Sequence, residues 1–240
     1  MLTMSLENIH TKLFADGADL ASILAVAADE RIAGFTTNPT LMRIAGVSDY
    51  AAFAAEVLAH ITDRPISFEV FADDPAEIRR QALLISGWAE NVYVKIPITT
   101  TKGETLAPLV RELSESGVKI NITAMFTLEQ VRDITECVKA GAPSYLSIFA
   151  GRIADAGVDP IPLMSEAIEI MKAAPHAECI WASPREVLNL LQADSVGCHI
   201  ITMTPDLLKK LSNIGKDLTQ YSLETVQMFF QDASTAGYQL

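Results

Sequence analysis

Cysteine, basic charge, long apolar runs and glycine-rich loops are all scarce in this 240-residue chain. The three cysteines, Cys137, Cys179 and Cys198, are odd in number and far apart, with no C-x-x-C pair. That excludes a disulfide framework and fits a reducing, cytoplasmic compartment. His10, His60, His176 and His199 keep no ligand spacing with one another or with the cysteines, so no protein-borne metal site is expected. Eighteen Lys and Arg stand against 30 Asp and Glu, a formal net charge of −12 with no basic block. Nucleic acid and anionic membrane surfaces are therefore poor partners, and any bound anion needs a local cluster working against the overall field. No apolar run approaches the roughly 18 residues of a spanning helix. The start, Met1-Leu2-Thr3-Met4-Ser5-Leu6-Glu7-Asn8, has neither the basic segment nor the long apolar segment of a signal peptide. The first strand ends Phe14-Ala15-Asp16-Gly17-Ala18-Asp19, without the G-x-G-x-x-G of a doubly wound dinucleotide-binding sheet.

Half the residues are hydrophobic, and mean hydropathy is +0.25. Strands of a parallel sheet, apolar on both faces, account for this without a membrane. Such strands read at 12–17, 34–38, 66–71, 92–97, 118–124, 145–151, 178–183 and 199–204. Helical patterns lie between them. Residues 49–61 place Phe53, Val57 and Ile61 four apart. Residues 75–88 open with Pro75 behind Asp74 as cap, and 127–139 open with a Thr127/Gln130 capping box. Another helix starts at Thr204-Pro205-Asp206, and a final amphipathic one covers 222–236. Eight β/α units in one continuous domain, 1–240, predict an α/β fold: a single (β/α)8 TIM barrel with an extra C-terminal helix.

In a barrel, chemistry belongs at the C-terminal strand ends. Those ends carry Asp16, then Thr36-Thr37-Asn38, Glu69, Lys95, Asn121 with Thr123, Ser147 with Arg152, and Ser183 with Arg185. Lys95 interrupts a strand of Val, Tyr and Ile, and lysine is almost never buried without a partner. A desolvated amine sheds its proton more readily, and the free amine is the nucleophile of Schiff-base chemistry. The alternative is a structural ion pair with Glu69 or Asp16. Those carboxylates can relay protons, yet when ionised they hold an amine in its ammonium form. Either burial prevails or they act through a water. Arg152, Ser183 and Arg185 suit a phosphate, with surface salt bridges such as Arg185–Glu186 or Arg152–Asp155 as the alternative. Trp88, Tyr50 and Phe53 read as core. Gly46, Gly103, Gly117 and Gly157 read as turns, and Asp73-Asp74 as a loop ending in a cap.

Six segments together resemble the short, single-domain form of the transaldolase family, which includes the fructose-6-phosphate aldolases. They are Phe14-Ala15-Asp16, Gly34-Phe35-Thr36-Thr37-Asn38-Pro39-Thr40, Val94-Lys95-Ile96-Pro97, Asn121-Ile122-Thr123-Ala124-Met125-Phe126, Ser147-Ile148-Phe149-Ala150-Gly151-Arg152 and Ala182-Ser183-Pro184-Arg185. The resemblance runs from about residue 12 to 240. It implies a class I aldolase barrel without metal or organic cofactor, in which Lys95 forms an imine with a ketose phosphate. It further implies that Glu69 and Thr123 hold a proton-shuttling water and that Asp16 is acid/base on the C4 hydroxyl. Asn38 and Ser147 would bind the dihydroxyacetone part with Thr36, Asn121 and Phe149 around it, and Arg152, Ser183 and Arg185 would hold the phosphate.

Two activities compete within such a family. A transaldolase keeps dihydroxyacetone on the lysine until an aldose phosphate accepts it, a step of the pentose phosphate pathway. An aldolase releases it. Family aldolases typically carry Gln at the position of Glu69 and Tyr at that of Phe149, so the pair present here implies transfer, as does Arg185. Pro184, Ile148 and an N-terminus about ten residues longer depart from the family pattern. Pro184 leaves a sulfosugar (sulfofructose) open beside a sugar phosphate. Residues 222–238, with Leu223, Val226, Met228, Phe229 and Phe230, imply a helix packing on a neighbouring subunit of a homopentamer or homodecamer. A barrel that binds a sugar phosphate without turnover is the reading from another class; it has no need of Lys95.

Overall fold

Val92-Tyr93-Val94-Lys95-Ile96-Pro97 shows why the strands build a closed sheet. Its even positions are apolar and fully buried, and its odd positions face the opposite way. One set packs under helices and the other fills a barrel. In the computed structural model, which describes residues 6–17 and 19–239, eight parallel strands close into that barrel in sequence order. The strands are β1 Lys12–Asp16, β2 Ile32–Thr36, β3 Ile66–Glu69, β4 Val92–Pro97, β5 Ile120–Met125, β6 Ser144–Ile148, β7 Ala177–Trp181 and β8 Ile200–Met203, with β8 pairing back onto β1. Between and after them come α1 Leu20–Ala27, α2 Pro39–Ile44, α3 Tyr50–Leu58, α4 Pro75–Ser86, α5 Ala107–Glu115, α6 Leu128–Val138, α7 Ala150–Asp155, α8 Pro160–Met171, α9 Leu188–Ser195, α10 Pro205–Lys210 and α11 Leu218–Ala236. This is the expected (β/α)8 barrel with a C-terminal helix. Residues 1–5, most of the stretch read for a signal peptide, lie outside the described residues. No helix among the described residues is long and apolar enough to cross a membrane.

The caps read from sequence are present. Asp74 accepts from Glu77 N at 3.0 Å ahead of Pro75, and Thr127 and Gln130 form a reciprocal capping box. Most strand boundaries shifted by one to three residues, and three of the shifted strands bear on the site. The strand expected at 34–38 is Ile32–Thr36, because Asn38 leaves the sheet to cap α2. The one expected at 145–151 stops at Ile148, and Ala150 and Gly151 open α7 instead. The one expected at 118–124 runs Ile120–Met125, through Ala124 at φ +60° and an irregular register against β6.

The main core lies between the sheet and the surrounding helices. A smaller cluster plugs the barrel itself: Phe14, Tyr145, Ile180 and Ile200, with Tyr93 stacked on Tyr145 at 4.1 Å. Gly34 makes this plug possible, since a Cβ there would lie 2.5 Å from the Phe14 ring. Above the plug the inward residues turn polar, and the barrel opens.

Candidate active site

The open end of the barrel is a cavity of about 390 Å³. Asp16, Thr36, Asn38, Glu69, Lys95, Thr123, Ser147, Phe149, Arg152 and Ser183 all line it. Asn121 and Arg185, the remaining residues picked from sequence, do not.

Lys95 sits at the centre, only 7% exposed. Its Nζ donates to the Thr37 carbonyl at 2.8 Å and lies 3.5 Å from Glu69 Oε2. The register explains the meeting: Glu69 pairs with Lys95 across β3 and β4, so both side chains rise on the same face. Burial pushes the Glu69 carboxyl above its ordinary range. The Lys95 charge opposes that shift without reversing it, and the nearby Asp16 adds to it.

Asp16 is held at both oxygens. Thr36 Oγ1 donates to Oδ1 at 2.8 Å, and Asn38 Nδ2 donates to Oδ2 at 3.2 Å. Asn38 is oriented for this by its other end, because its Oδ1 accepts from Leu41 N at 2.9 Å as the cap of α2. Thr36 and Thr202 hydroxyls lie 2.6 Å apart. With the Thr36 hydrogen spent on Asp16, Thr202 is the donor in that pair. Burial lifts the Asp16 carboxyl too, and the Lys95 charge and these hydrogen bonds only partly offset it. A carboxyl raised in this way holds its proton more readily than an exposed one, which suits proton exchange with a substrate hydroxyl.

Thr123 Oγ1 is buried and has no hydrogen-bond partner among the described residues. It faces the same cavity as Glu69 and Lys95. A buried hydroxyl left open beside a carboxylate and an amine is a place for water or substrate.

Asn121 lies below the floor, fully buried. It donates to Ser67 Oγ at 2.9 Å and accepts from Ser147 Oγ at 2.7 Å. Its amide therefore orients Ser147, which does line the cavity.

The anion side is asymmetric. Arg152 reaches the cavity, its guanidinium over the Phe149 ring at 5.2 Å. Arg185 instead forks onto Asp155, Nε 3.0 Å from both carboxylate oxygens, and its Nη2 makes a second bond there. Neither salt bridge named as an alternative from sequence forms: Arg185 pairs with Asp155 and not Glu186, and Arg152 has no ion pair among the described residues. Ser183 adopts φ +56°, and Gly151 lets α7 come against it: a Cβ at Gly151 would lie 1.5 Å from Ser183 O.

Sequence reasoning gave no role in the site to Thr37, Thr202 or Tyr50. Thr37 acts through its backbone carbonyl, which leaves no residue-type signal. Thr202 stands in phase with Ile200 in β8 and was legible by period two. Tyr50 was assigned to the core by helical spacing, yet its hydroxyl lies 2.7 Å from Glu69 N and 3.1 Å from Glu69 O. No cluster of three or more His, Cys, Asp and Glu side chains among the described residues is arranged to hold a metal ion.

A closed parallel barrel with a buried, carboxylate-paired lysine and a polar cavity at its C-terminal mouth defines the class, that of the barrel enzymes. Residues 13–240 match the family described as Transaldolase/Fructose-6-phosphate aldolase, and the chain belongs to that family. Among curated relatives, a "Probable transaldolase" of Dehalococcoides mccartyi is 34% identical over 201 residues, 83% of this chain and 89% of the relative. One of Methanococcus maripaludis is 36% identical over 203 residues, covering 84% and 90%. One of Streptococcus pyogenes is 35% identical over 224 residues, covering 92% and 97%. Solved structures with the same fold include 2,3-dimethylmalate lyase, with TM-score 0.56 and 14% identity over 97% of this chain and 86% of that one. KGPDC from Streptococcus mutans has TM-score 0.54 and 11% identity, covering 86% and 97%.

Proposed function

We propose that the protein is a Schiff-base transaldolase, moving a dihydroxyacetone unit from fructose 6-phosphate to erythrose 4-phosphate. The products are sedoheptulose 7-phosphate and glyceraldehyde 3-phosphate. The observation that carries this reading is the convergence of Lys95 Nζ, Glu69 Oε2 and the unpartnered Thr123 hydroxyl on one cavity.

The free Lys95 amine attacks the ketose carbonyl carbon. A water between Glu69 and Thr123 protonates the departing hydroxyl, which leaves as water, giving the iminium. Asp16 takes the C4 hydroxyl proton, the C3–C4 bond breaks, and the aldose phosphate leaves. The electron pair of that bond passes into the enamine that remains on Lys95. The enamine attacks the acceptor aldehyde, Asp16 returns the proton to the new alkoxide, and water releases the product. Asn38, with Thr36 and Ser147, binds the three-carbon unit, and Ser147 is aimed by Asn121. Arg152 and Ser183 hold the anion, with Arg185 joining once it leaves Asp155.

Transfer is favoured over release by Phe149, which lines the cavity without a hydroxyl to deliver water to the imine. The "Probable transaldolase" names of the relatives support the same choice. Mass spectrometry of products from fructose 6-phosphate, with and without erythrose 4-phosphate, tests it. Sedoheptulose 7-phosphate only with acceptor, and little free dihydroxyacetone, is the expected result. Dihydroxyacetone without acceptor makes the protein a fructose-6-phosphate aldolase. A second reading, transfer on sulfofructose, is favoured by the Arg185–Asp155 pair, which leaves Arg152 as the guanidinium reaching the cavity and suits a less charged anion.

The chain works as one barrel domain in a homo-oligomer, a pentamer or decamer, with α11 covering a neighbouring subunit. Support comes from α11 itself, which buries none of its residues and exposes Phe229 and Phe230. Cys137, Cys179 and Cys198 are all free thiols, in keeping with a cytoplasmic enzyme.

A further inference from the structure

The end of β3 has a partner on one side only. β2 pairs as far as Thr36 opposite Ser67, and Thr37 N donates to Ser67 O just beyond. On the other side β4 continues, with Val70 N donating to Lys95 O. Backbone groups in a parallel strand alternate between its two neighbours. Glu69, between Phe68 and Val70, therefore turns its N–H and C=O to the side that β2 has left. A strand end buried there needs another donor and acceptor.

Tyr50, the first residue of α3, supplies both with one hydroxyl. It accepts from Glu69 N at 2.7 Å and donates to Glu69 O at 3.1 Å. The ring that carries it is fixed edge-on against Phe68, Phe71 and Trp88, with centroids 4.5–6.1 Å away. The clamp thus has no slack, and it closes on the residue whose carboxylate stands 3.5 Å from Lys95 Nζ.

We propose that Tyr50 is a positioning residue for the reaction, its hydroxyl replacing the missing strand so that Glu69 is held at relay distance from Lys95. This rests on the Schiff-base reading above. Among the described residues Tyr50 makes no hydrogen bond to Lys95, and its hydroxyl bonds the backbone of Glu69.

Tyr50→Phe removes the hydroxyl and keeps the ring. Turnover of fructose 6-phosphate with erythrose 4-phosphate is measured beside the rate at which borohydride traps the Lys95 adduct. The expected result is a kcat at least tenfold lower with KM within twofold, and adduct formation slowed to match. In a Glu69→Gln background the same change alters kcat less than twofold, because the group it positions is already gone. Trp88→Phe, which thins the cluster but keeps the hydroxyl, lowers Tm and lowers kcat less than Tyr50→Phe does. If Tyr50→Phe does not fold, Tyr50→His takes its place; its shorter ring leaves Glu69 N and O without the hydroxyl, and it is expected to show the same background dependence. An equal loss in both backgrounds, or a kcat loss in Trp88→Phe as large as in Tyr50→Phe, overturns the positioning role. The two readings fail separately. A wild type that forms no adduct overturns the Schiff-base chemistry and this inference with it, whereas a wild-type adduct that Tyr50→Phe forms equally fast overturns only the role of Tyr50.

Discussion

Lys95 Nζ and Glu69 Oε2 stand 3.5 Å apart, too far for the 2.7–2.9 Å typical of a charge-assisted hydrogen bond, while the short bond of the amine goes to the neutral Thr37 carbonyl. The two groups therefore form an ion pair without a short direct bond between them.

Borohydride added with fructose 6-phosphate is expected to leave a three-carbon adduct on Lys95, located by peptide mass spectrometry. Lys95→Ala abolishes it. Glu69→Gln still forms it, but slower by about 10²–10⁴, the range of general acid–base assistance.

The buried carboxylates cost stability, and the sign can be followed with pH. Burial raises Asp16 and Glu69 above their unfolded values, so each binds its proton more tightly when folded. The penalty is absent below the unfolded carboxylate range and grows as pH rises through the folded value. Glu69→Gln and Asp16→Asn are expected to raise Tm at pH 7–8, by about 2–4 °C for each 1 kcal/mol relieved. The gain fades near pH 4. A gain that grows on acidification contradicts it, and thermal scans across that range decide.

The asymmetric anion site predicts asymmetric mutants. Arg152→Ala removes the guanidinium that reaches the cavity and raises KM for phosphorylated substrates by about 10- to 100-fold, the equivalent of roughly 1.5–3 kcal/mol. Asp155→Asn frees Arg185 and lowers KM for the phosphate more than for the sulfonate, since a second guanidinium favours the doubly charged anion. Steady-state kinetics on both substrates read the difference.

Gly151→Ala pushes a Cβ against Ser183 O at 1.5 Å, a contact with backbone that no side-chain rotation relieves. We expect Ser183 and the start of α7 to separate, with anion affinity lost before the barrel is. Far-UV circular dichroism alongside substrate titration distinguishes that outcome from simple unfolding.

The α11 surface predicts self-association. Phe229→Glu with Phe230→Glu removes two large apolar side chains, each worth about 1.5–3 kcal/mol when buried. Light scattering is expected to show an oligomer for the wild type and a smaller species for the double variant. A lone 26.0 kDa wild-type species at micromolar concentration sinks the proposal.

The sequence by itself determined the alternation of β and α, because strands apolar on both faces and helices with explicit caps are local statements. Asp74-Pro75 and Thr127/Gln130 stood where they read. It also determined most of the cavity wall, since period two and strand ends suffice to aim Asp16, Glu69, Lys95 and Thr123 at one place. The tertiary structure alone decided how those groups are shared. Asn121 was spent beneath the floor because Ser67 and Ser147 arrive from two other strands. Arg185 was drawn to Asp155, thirty residues away, rather than into the cavity. Tyr50 carried a core pattern and became a clamp because β2 stops two residues short of Glu69. Hydrogen bonds and ion pairs between distant segments depend on distances of a few ångströms, set by how barrel and helices pack, and no residue pattern along the chain encodes those distances.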